Sequence, residues 1–336
     1  MTPTRQRLLA LLADGEQHSG AKLAAGLCIS RTAVWKLVAE LRERGVAIDS
    51  IDRRGYRLRH PIELIDAGRI RGAAAAEGWT VPGDVEVLFE VDSTNDYLYA
   101  APAPPPGQPQ LVFAELQRAG RGRRGRSWHA PFGSGLTFSI GWTFAEMPAD
   151  LSALSLAMGI QVVVGLRNIG LRQARLKWPN DIVVGQRKLG GLLMQLRSEA
   201  GGPAYVVIGL GLNLDLPQAD RAAIETPGAA PACDLREALG EGLPGRNRTA
   251  ASVAAAMLDG LAEFAAAGFA PFAADWLSLD ALRDQPVRVV QGATVIEGIA
   301  RGVAADGALR VERAGHIEKF FSGDASVRAA IATESP

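Results

Sequence analysis

The sequence predicts an α+β protein with more than one domain. Its 336 residues leave room for two or three domains at roughly 100 to 200 residues each. The first 60 residues follow the pattern of three short helices and a hairpin, and the longer remainder alternates strand-like with helical segments. Because 48% of the residues are apolar, the chain can bury a sizeable core.

The composition argues against several classes of protein. No run approaches the roughly 18 consecutive apolar residues of a membrane span, and the N-terminal Met-Thr-Pro-Thr-Arg lacks the apolar core of an export signal. Cys28 and Cys233 are too few for a disulfide framework or a four-ligand zinc site, and the four histidines lie far apart. We therefore expect a soluble cytoplasmic protein with no membrane contact, in which any metal arrives with the substrate.

The charges are distributed unevenly along the chain. The whole sequence has 36 basic and 36 acidic side chains, whereas residues 1–60 hold 11 Lys and Arg against 6 Asp and Glu. A net charge of +5 on the leading segment permits binding to a polyanion, although a plain solvated surface often carries as much.

The leading segment is predicted to be a winged helix-turn-helix. Thr4 and Ser19 are placed to cap two short leucine-bearing helices, and Ser30 to cap a third helix that Gly45 ends. The apolar face of the third helix has helical spacing and consists of Val34, Leu37, Val38 and Leu41. A basic turn follows, flanked by the strand formers Ile48, Ile51, Tyr56 and Leu58, and this pattern predicts a short hairpin.

The polar face of the third helix and the basic turn are predicted to contact DNA. In such a module the third helix enters the major groove, and arginines of the wing neutralise phosphates. The candidate DNA-contacting residues are Ser30, Arg31, Thr32, Trp35, Lys36, Arg53 and Arg54. The alternative is a three-helix packing module whose polar face is only solvated.

His60-Pro61 ends this module, which places a domain boundary near residue 62. The strand-forming residues 85–91 run directly into Asp92-Ser-Thr-Asn95, a cluster of hydrogen-bonding side chains. Polar groups at a strand end often face a ligand, but the simpler interpretation is that one of them caps a short helix at 97–99. Five prolines within residues 101–109 predict an exposed loop.

The most informative run is the arginine–glycine loop, residues 120–128. It satisfies the G-x-G-x-x-G pattern after a strand, yet Ser127-Trp-His-Ala-Pro131 is poor material for the helix that a dinucleotide site requires. Four arginines among three glycines repel one another, so the loop should be mobile when empty and ordered by an anion such as phosphate. A solvated basic loop or a nucleic-acid patch stays open as an alternative.

Further polar residues follow in the predicted sheet. Lys177, Asn180 and Asp181 lie beside a turn fixed by proline, where a carboxylate can hold magnesium bound to ATP. Lys188 and the strand-like residues 192–196 and 205–214 come next, so a sheet with intervening helices is the expected core. Taken singly, each polar residue is explained more simply as structural.

Taken together, these motifs resemble the ordered motif series of the biotin-protein ligases. The series consists of Asp92-Ser-Thr-Asn95, Gln117-Arg-Ala-Gly-Arg-Gly-Arg-Arg-Gly-Arg126, Lys177-Trp-Pro-Asn-Asp181, Arg187-Lys-Leu-Gly-Gly191 and Gly209-Leu-Gly-Leu-Asn213. Because a winged helix-turn-helix precedes them, the chain resembles the bifunctional members that also repress the biotin biosynthesis operon. The tail from Gln285 to Glu312 is similar to the small C-terminal SH3-like barrel of the family.

The resemblance runs from about Thr4 to Val327 and implies three domains. These are a winged helix-turn-helix at 1–62, a class II synthetase-like ligase domain with a mixed sheet at 63–282, and an SH3-like barrel at 283–330. It also implies a two-step reaction in which biotin and ATP, with Mg²⁺, form biotinyl-5′-AMP, and the biotinyl group passes to a lysine of the biotin carboxyl carrier protein of acetyl-CoA carboxylase. Operator DNA and a homodimer formed with biotinyl-AMP bound are the other implied partners.

The resemblance also implies roles for particular residues. The biotin-binding set is Ser93, Thr94, Asn95, Gln117, Gly120, Arg121, Gly122, Arg123 and Lys188. The adenylate-binding set is Arg121, Arg123, Arg124, Trp128, Lys177, Asn180 and Asn213. Lys188, Arg123 and Asp181 are the implied catalytic residues, with Asp181 as the magnesium ligand.

Two other functions stay open from the sequence. A lipoate-type ligase shares the core fold and the adenylate chemistry, although the arginine–glycine loop and the tail argue against it. A transcription factor that senses biotin without ligating it is disfavoured by the presence of Lys188 and Asp181. The loops at 101–109 and 217–248 depart from the commonest pattern of the family, and the second could alter docking of the carrier.

Overall fold

The computed structural model describes residues 3–51, 54–198, 202–224, 230–322 and 326–329. Within these residues the strands form a two-stranded, a seven-stranded and a five-stranded sheet, in that order along the chain. The predicted α+β class and its succession of a helix-turn-helix, a mixed sheet and a C-terminal β-sheet are confirmed. The boundaries at residues 62 and 282 stay a prediction.

The N-terminal module has three helices and a hairpin, as predicted. Its elements are α1 (Pro3–Leu12), α2 (Gly20–Leu27), α3 (Arg31–Glu43), β1 (Ile48–Ile51) and β2 (Gly55–Leu58). The Ser19 hydroxyl accepts from Lys22 N–H, and the Ser30 hydroxyl accepts from Ala33 N–H, so both predicted caps are present. The cap expected at Thr4 is wrong, because α1 begins one residue earlier and includes Thr4.

The central module is built on the seven-stranded sheet. Its strands are β3 (Asp84–Val91), β4 (Gln110–Gln117), β5 (Gly135–Phe144), β6 (Ala174–Lys177), β7 (Asp181–Val184), β8 (Arg187–Ser198) and β9 (Ala204–Asn213). The order across the sheet is β3-β4-β5-β9-β8-β7-β6, with β3 and β4 parallel and every other neighbouring pair antiparallel. The register sets Ala114 of β4 opposite Thr137 of β5, and Gly135 opposite Asn213, so the C-terminal ends of β3 and β4 lie beside the start of β5 and the end of β9. Ser139 lies opposite Gly209.

Helices surround this sheet. They are α4 (Ala67–Ala76), α5 (Thr94–Ala100), α6 (Leu154–Asn168), α7 (Gln218–Ile224), α8 (Leu235–Leu239), α9 (Arg246–Ala267) and α10 (Ala273–Leu279). Two described stretches, Leu151–Asn168 and Arg246–Ala267, are long and apolar enough to cross a membrane, with mean hydropathies of 1.3 and 1.4. Both are 67% buried inside the protein and pack on one another, as core helices do.

The C-terminal module is the five-stranded antiparallel sheet. Its strands are β10 (Pro286–Gln291), β11 (Thr294–Val303), β12 (Leu309–Arg313), β13 (His316–Phe320) and β14 (Ser326–Ala329). Buried residues such as Val287 and Val311 belong to the same apolar cluster as the central helices. The indole N–H of Trp178, in the β6–β7 turn, also donates to Gly307 O at 3.1 Å, so the C-terminal module packs directly on the turn that carries the predicted site residue Asn180.

Candidate active site

Four polar side chains meet where the start of α5 packs against β4 and β5, and we name Thr94, Asn95, Gln117 and Ser139 the polar cluster. Gln117 Oε1 accepts from the Thr94 backbone N–H at 2.8 Å and from its hydroxyl at 3.1 Å. The Ser139 hydroxyl lies 2.6 Å from Asn95 Oδ1 and 2.7 Å from Thr94 Oγ1, and Asn95 Nδ2 donates to Leu193 O at 3.1 Å. This neutral, directional set suits an uncharged ligand group that has both N–H and C=O functions.

A glycine makes room for the polar cluster. A Cβ on Gly209 would lie 2.0 Å from Asn95 Oδ1, so Asn95 reaches Ser139 only because β9 has no side chain at that point. Ser93, by contrast, is buried and caps α5 by accepting from Asp96 N–H at 3.3 Å, which is the simpler of the two sequence interpretations. A contact between Ser93 and a ligand stays a prediction.

The arginine–glycine loop is held by its own backbone. Trp128 N–H donates to Gly120 O at 2.8 Å, and Gly122 N–H donates to Arg126 O at 2.6 Å. Between them the chain makes one tight turn, in which Arg124 takes a left-handed conformation with φ of 57°. The side chains of Arg124 and Arg126 are exposed, while Arg121 pairs with Asp96 of α5 at 2.6 Å.

Arg123 is the loop arginine that reaches farthest into the protein. Its guanidinium donates to Asn180 Oδ1 at 3.2 Å and to the Ser322 carbonyl of the C-terminal module. Burial, together with the neighbouring Arg124 charge, lowers the pKa of Arg123 from its ordinary value. A partly desolvated cation of this kind attracts an anion more strongly than a fully hydrated one does.

Lys188 and Asp181 face each other on neighbouring strands. Lys188 Nζ lies 2.6 Å from Asp181 Oδ1, and both side chains are about three-quarters buried, with 27% and 22% of their surface exposed. Lys188 Nζ is also 5.8 Å from the centroid of the Trp128 ring. The Trp128 ring packs on β9 at Gly211, where a Cβ would lie 2.3 Å from the ring, so the absence of a side chain at Gly211 makes room for it. The β7–β8 hairpin therefore presents the ammonium group of Lys188 and the carboxylate of Asp181 beneath the arginine–glycine loop.

The remaining predicted adenylate residues have structural contacts of their own. Asn180 Nδ2 donates to Leu192 O, which leaves its Oδ1 to hold Arg123. Asn213 is buried and donates to Cys233 O at 2.9 Å. Lys177 is half-buried and pairs through its backbone with Asp181 in the β6–β7 hairpin. Their contacts with nucleotide stay predictions.

The two residues that sequence reasoning missed are Ser139 and Ser322. Ser139 carried one signal, since it is a small polar residue in the middle of the otherwise largely apolar strand β5. Ser322 carried none, because it acts through its backbone carbonyl.

Part of the variable segment at 217–248 lies along the candidate catalytic strand. Lys188 N–H donates to Pro231 O at 2.7 Å, and Cys233 N–H donates to Lys188 O at 2.9 Å. Burial raises the pKa of the Cys233 thiol to about 11, so this thiol is protonated at neutral pH and is a poor nucleophile. Through the backbone hydrogen bonds of Pro231 and Cys233, this segment holds the backbone of Lys188 in place.

The donor set limits what metal the site can hold. Among the described residues no three His, Cys, Asp or Glu side chains cluster as metal ligands. Asp181 offers one carboxylate, which suits magnesium carried by nucleotide phosphates, because Mg²⁺ is often held by one or two carboxylates and by substrate oxygens. Two open surface cavities, of about 480 and 510 Å³, are lined by residues outside the polar cluster, the arginine–glycine loop and the Lys188–Asp181 pair.

The predicted DNA-contacting residues of α3 share an exposed face. Arg31, Thr32 and Lys36 are exposed, and Trp35 exposes 59% of its surface, while Val34, Val38 and Leu41 form the buried face. Ser30 uses its hydroxyl as the helix cap. In the wing Arg54 is exposed, and Arg53 lies outside the described residues.

Sequence patterns of known families match all three modules. The Biotin/lipoate A/B protein ligase family matches residues 88–213, an HTH domain matches residues 4–57, and the biotin protein ligase C-terminal domain matches residues 284–328. The helix-turn-helix, the polar cluster and the arginine-bearing site above Lys188 thus define a protein ligase that carries a DNA-binding domain.

Known relatives identify the family more closely. The bifunctional ligase/repressor BirA of Salmonella typhimurium is 38% identical over 96% of this chain and 97% of its own length, and that of Escherichia coli is 37% identical over the same shares. A biotin protein ligase from Aquifex aeolicus, solved with biotin and ATP, has 25% identity and a TM-score of 0.61, covering 74% of this chain and 99% of that chain. The chain belongs to the bifunctional ligase/repressor branch of the biotin protein ligase family.

Proposed function

We propose that this chain is an ATP-dependent biotin-protein ligase and a repressor of biotin biosynthesis. It forms biotinyl-5′-AMP from biotin and ATP, transfers the biotinyl group to one lysine of the biotin carboxyl carrier protein of acetyl-CoA carboxylase, and binds operator DNA. Because both the carrier and the operator are cytoplasmic targets, it acts in the cytoplasm.

The polar cluster binds the ureido head of biotin. A urea has two N–H donors and one carbonyl acceptor and no charge, so it matches the hydroxyl and amide groups of Thr94, Asn95, Gln117 and Ser139. The cluster is already hydrogen-bonded internally, so biotin finds these groups oriented rather than free to rotate. This arrangement supports the predicted biotin-binding set.

Adenylation takes place at the cationic end of the site. The biotin carboxylate attacks the α-phosphorus of ATP, a P–O bond forms, and pyrophosphate leaves with the electron pair of the broken P–O bond. Lys188 and Arg123 offset the negative charge that develops on the phosphoryl oxygens, which is the main help a protein can give to this reaction. Asp181 holds Lys188 in place and is the carboxylate available to magnesium, which screens the phosphate charges when bound. Trp128 shelters the adenine side.

The second step needs no nucleophile from the enzyme. The acceptor lysine attacks the acyl carbon of biotinyl-AMP, an amide bond forms, and AMP leaves. Deprotonating a lysine of ordinary pKa near 10.4 at pH 7 costs about 4.6 kcal/mol, so a shielded site must assist it. The arginine–glycine loop acts as the lid that keeps water from the mixed anhydride in the meantime.

The observation that carries this proposal is the position of the Lys188–Asp181 pair, with the arginine–glycine loop above it and Trp128 against Lys188. The decisive experiment incubates the purified chain with ATP, Mg²⁺, biotin and apo-carrier, and then measures the mass of the carrier. We expect one biotinyl increment on one lysine. A lipoyl increment from lipoate in place of biotin would indicate the lipoate-type ligase, and biotin binding without any increment would indicate a sensor.

The repressor function and the homodimer are tested separately. We expect biotinyl-AMP to increase the mass of the chain in solution to that of a dimer, measured by light scattering, and to strengthen binding to a palindromic operator duplex. Replacing Arg31 by Ala should weaken the operator complex and leave carrier labelling intact. An unchanged solution mass would rule out ligand-driven dimerisation.

A further inference from the structure

The arginine–glycine loop is attached at both flanks to the N-terminal module. Arg118 precedes the loop and Phe132 follows it. Their partners, Glu90 and Phe89, are neighbours on β3 and contact the helix-turn-helix. The two attachments differ in kind, since one is ionic and the other apolar.

The ionic attachment is a relay of three residues. Arg44, the residue that caps the C-terminus of α3, places Nε 3.0 Å from Glu90 Oε2. The other oxygen of the same carboxylate lies 3.7 Å from Arg118 Nε, an ion-pair distance, while Nε and Nη2 of Arg118 both lie 3.0 Å from Asp92 Oδ1. Glu90 exposes 16% of its side chain and Arg44 exposes 29%, so solvent screens their pair less than it screens Arg118. Arg5 also faces this carboxylate, while its own ion pair is with Glu40.

The apolar attachment lies beside it. Phe89 is buried, and its ring centroid is 5.8 Å from that of Phe132, within the apolar cluster that forms the core of the N-terminal module. A Cβ on Gly133 would come within 2.4 Å of Ile62 Cδ1, so the chain just after Phe132 touches the segment that joins the two modules.

We propose that Arg44, a residue of the DNA-binding module, is a positioning residue for the ligase reaction. By holding Glu90 it holds Arg118, and it thereby fixes the flank from which the loop closes over biotinyl-AMP. The loop carries four guanidinium groups that repel one another, so a fixed flank reduces the conformational freedom that closure must remove. The inference rests on the proposed ligase function.

The test measures how fast full-length protein releases biotinyl-AMP. We expect Arg44→Met to release it about two- to five-fold faster than wild type, as suits the loss of one partly exposed ion pair. The matched control is Arg59→Met, because Arg59 pairs with Asp49 inside the hairpin and has no contact with Glu90. Arg44→Lys keeps the charge and should restore slow release.

Two further readouts distinguish the relay from general damage. Glu90→Gln should speed release to a similar extent, and adding Arg44→Met to it should have no further effect. Raising KCl from about 0.05 M to about 0.5 M should reduce the difference between wild type and Arg44→Met, because salt screens the pair. Additive effects of the two substitutions, or equal release by wild type and Arg44→Met, would overturn the inference. If wild type forms no biotinyl-AMP at all, the proposed function fails as well.

Discussion

Alanine at Gly209 should weaken biotin binding, because it overfills the polar cluster. The added Cβ would lie 2.0 Å from Asn95 Oδ1, so the Asn95 amide must turn away from Ser139 and from Leu193 O. Each hydrogen bond lost removes about 0.5–1.5 kcal/mol. In the proposed complex the displaced Asn95 amide no longer meets the ureido group, and two hydrogen bonds to biotin lost in this way amount to about 1–3 kcal/mol, which is a loss of biotin affinity of about five- to 150-fold.

The assay is calorimetric titration of biotin into the protein without ATP, which isolates binding of the head group from adenylation. Gly72→Ala is the matched control, because its new Cβ on α4 meets no heavy atom within 4 Å apart from its chain neighbours and the adjoining backbone of its own helix. Asn95→Ala removes the same hydrogen bonds without overfilling and should weaken binding by a similar factor. The reasoning is refuted if Gly209→Ala melts like wild type and binds biotin with unchanged affinity.

Three other predictions concern the loop, the core and the pH dependence. Arg123→Gln should release biotinyl-AMP about tenfold faster or more, since it removes a charged hydrogen-bond donor; unchanged release together with unchanged carrier labelling, in a chase experiment, would contradict this. Arg246→Met should lower the free energy of unfolding, measured in urea, by about 3–5 kcal/mol, because it leaves the carboxylate of Glu115 without its partner. That carboxylate lies 2.8 Å from the Arg246 guanidinium and is almost fully buried. Adding Glu115→Gln to Arg246→Met should recover part of the loss. Burial raises the pKa of Asp280, so the folded protein keeps a proton that the unfolded chain releases near pH 4. The free energy of unfolding therefore falls as the pH rises from about 4 through the raised pKa, by at most about 1.4 kcal/mol per pH unit. Asp280→Asn should flatten that dependence in urea titrations, and parallel curves for the two proteins would exclude the role of Asp280.

The N-terminal module was predictable almost residue by residue, because its signals are local. A cap is a contact over three residues, and an apolar helix face repeats within two turns, so Ser19, Ser30 and the buried face of α3 could be predicted from spacing. The one error, at Thr4, lies at a helix end, where boundaries are least determined by local pattern.

The candidate site was predictable only in part. The motif series indicated Lys188, Asp181 and the arginine–glycine loop, and antiparallel pairing of β7 with β8 brings the first two together over a short sequence separation. Ser139 lies 44 residues from Asn95 and Ser322 lies 199 residues from Arg123, and no periodicity in the chain relates such distant positions.

The sequence by itself determined the order of the modules, the capped helices and the identity of the chemical groups, because these depend on residue type and on spacing within a few turns. Only the tertiary structure decided which groups touch. The mixed sheet order sets Ser139 opposite Gly209, the packing of the C-terminal sheet brings Ser322 to Arg123, and β3 brings Glu90 to Arg44. Such contacts form when distant segments bury a common apolar core, and the chain order alone does not state which partners that burial will select.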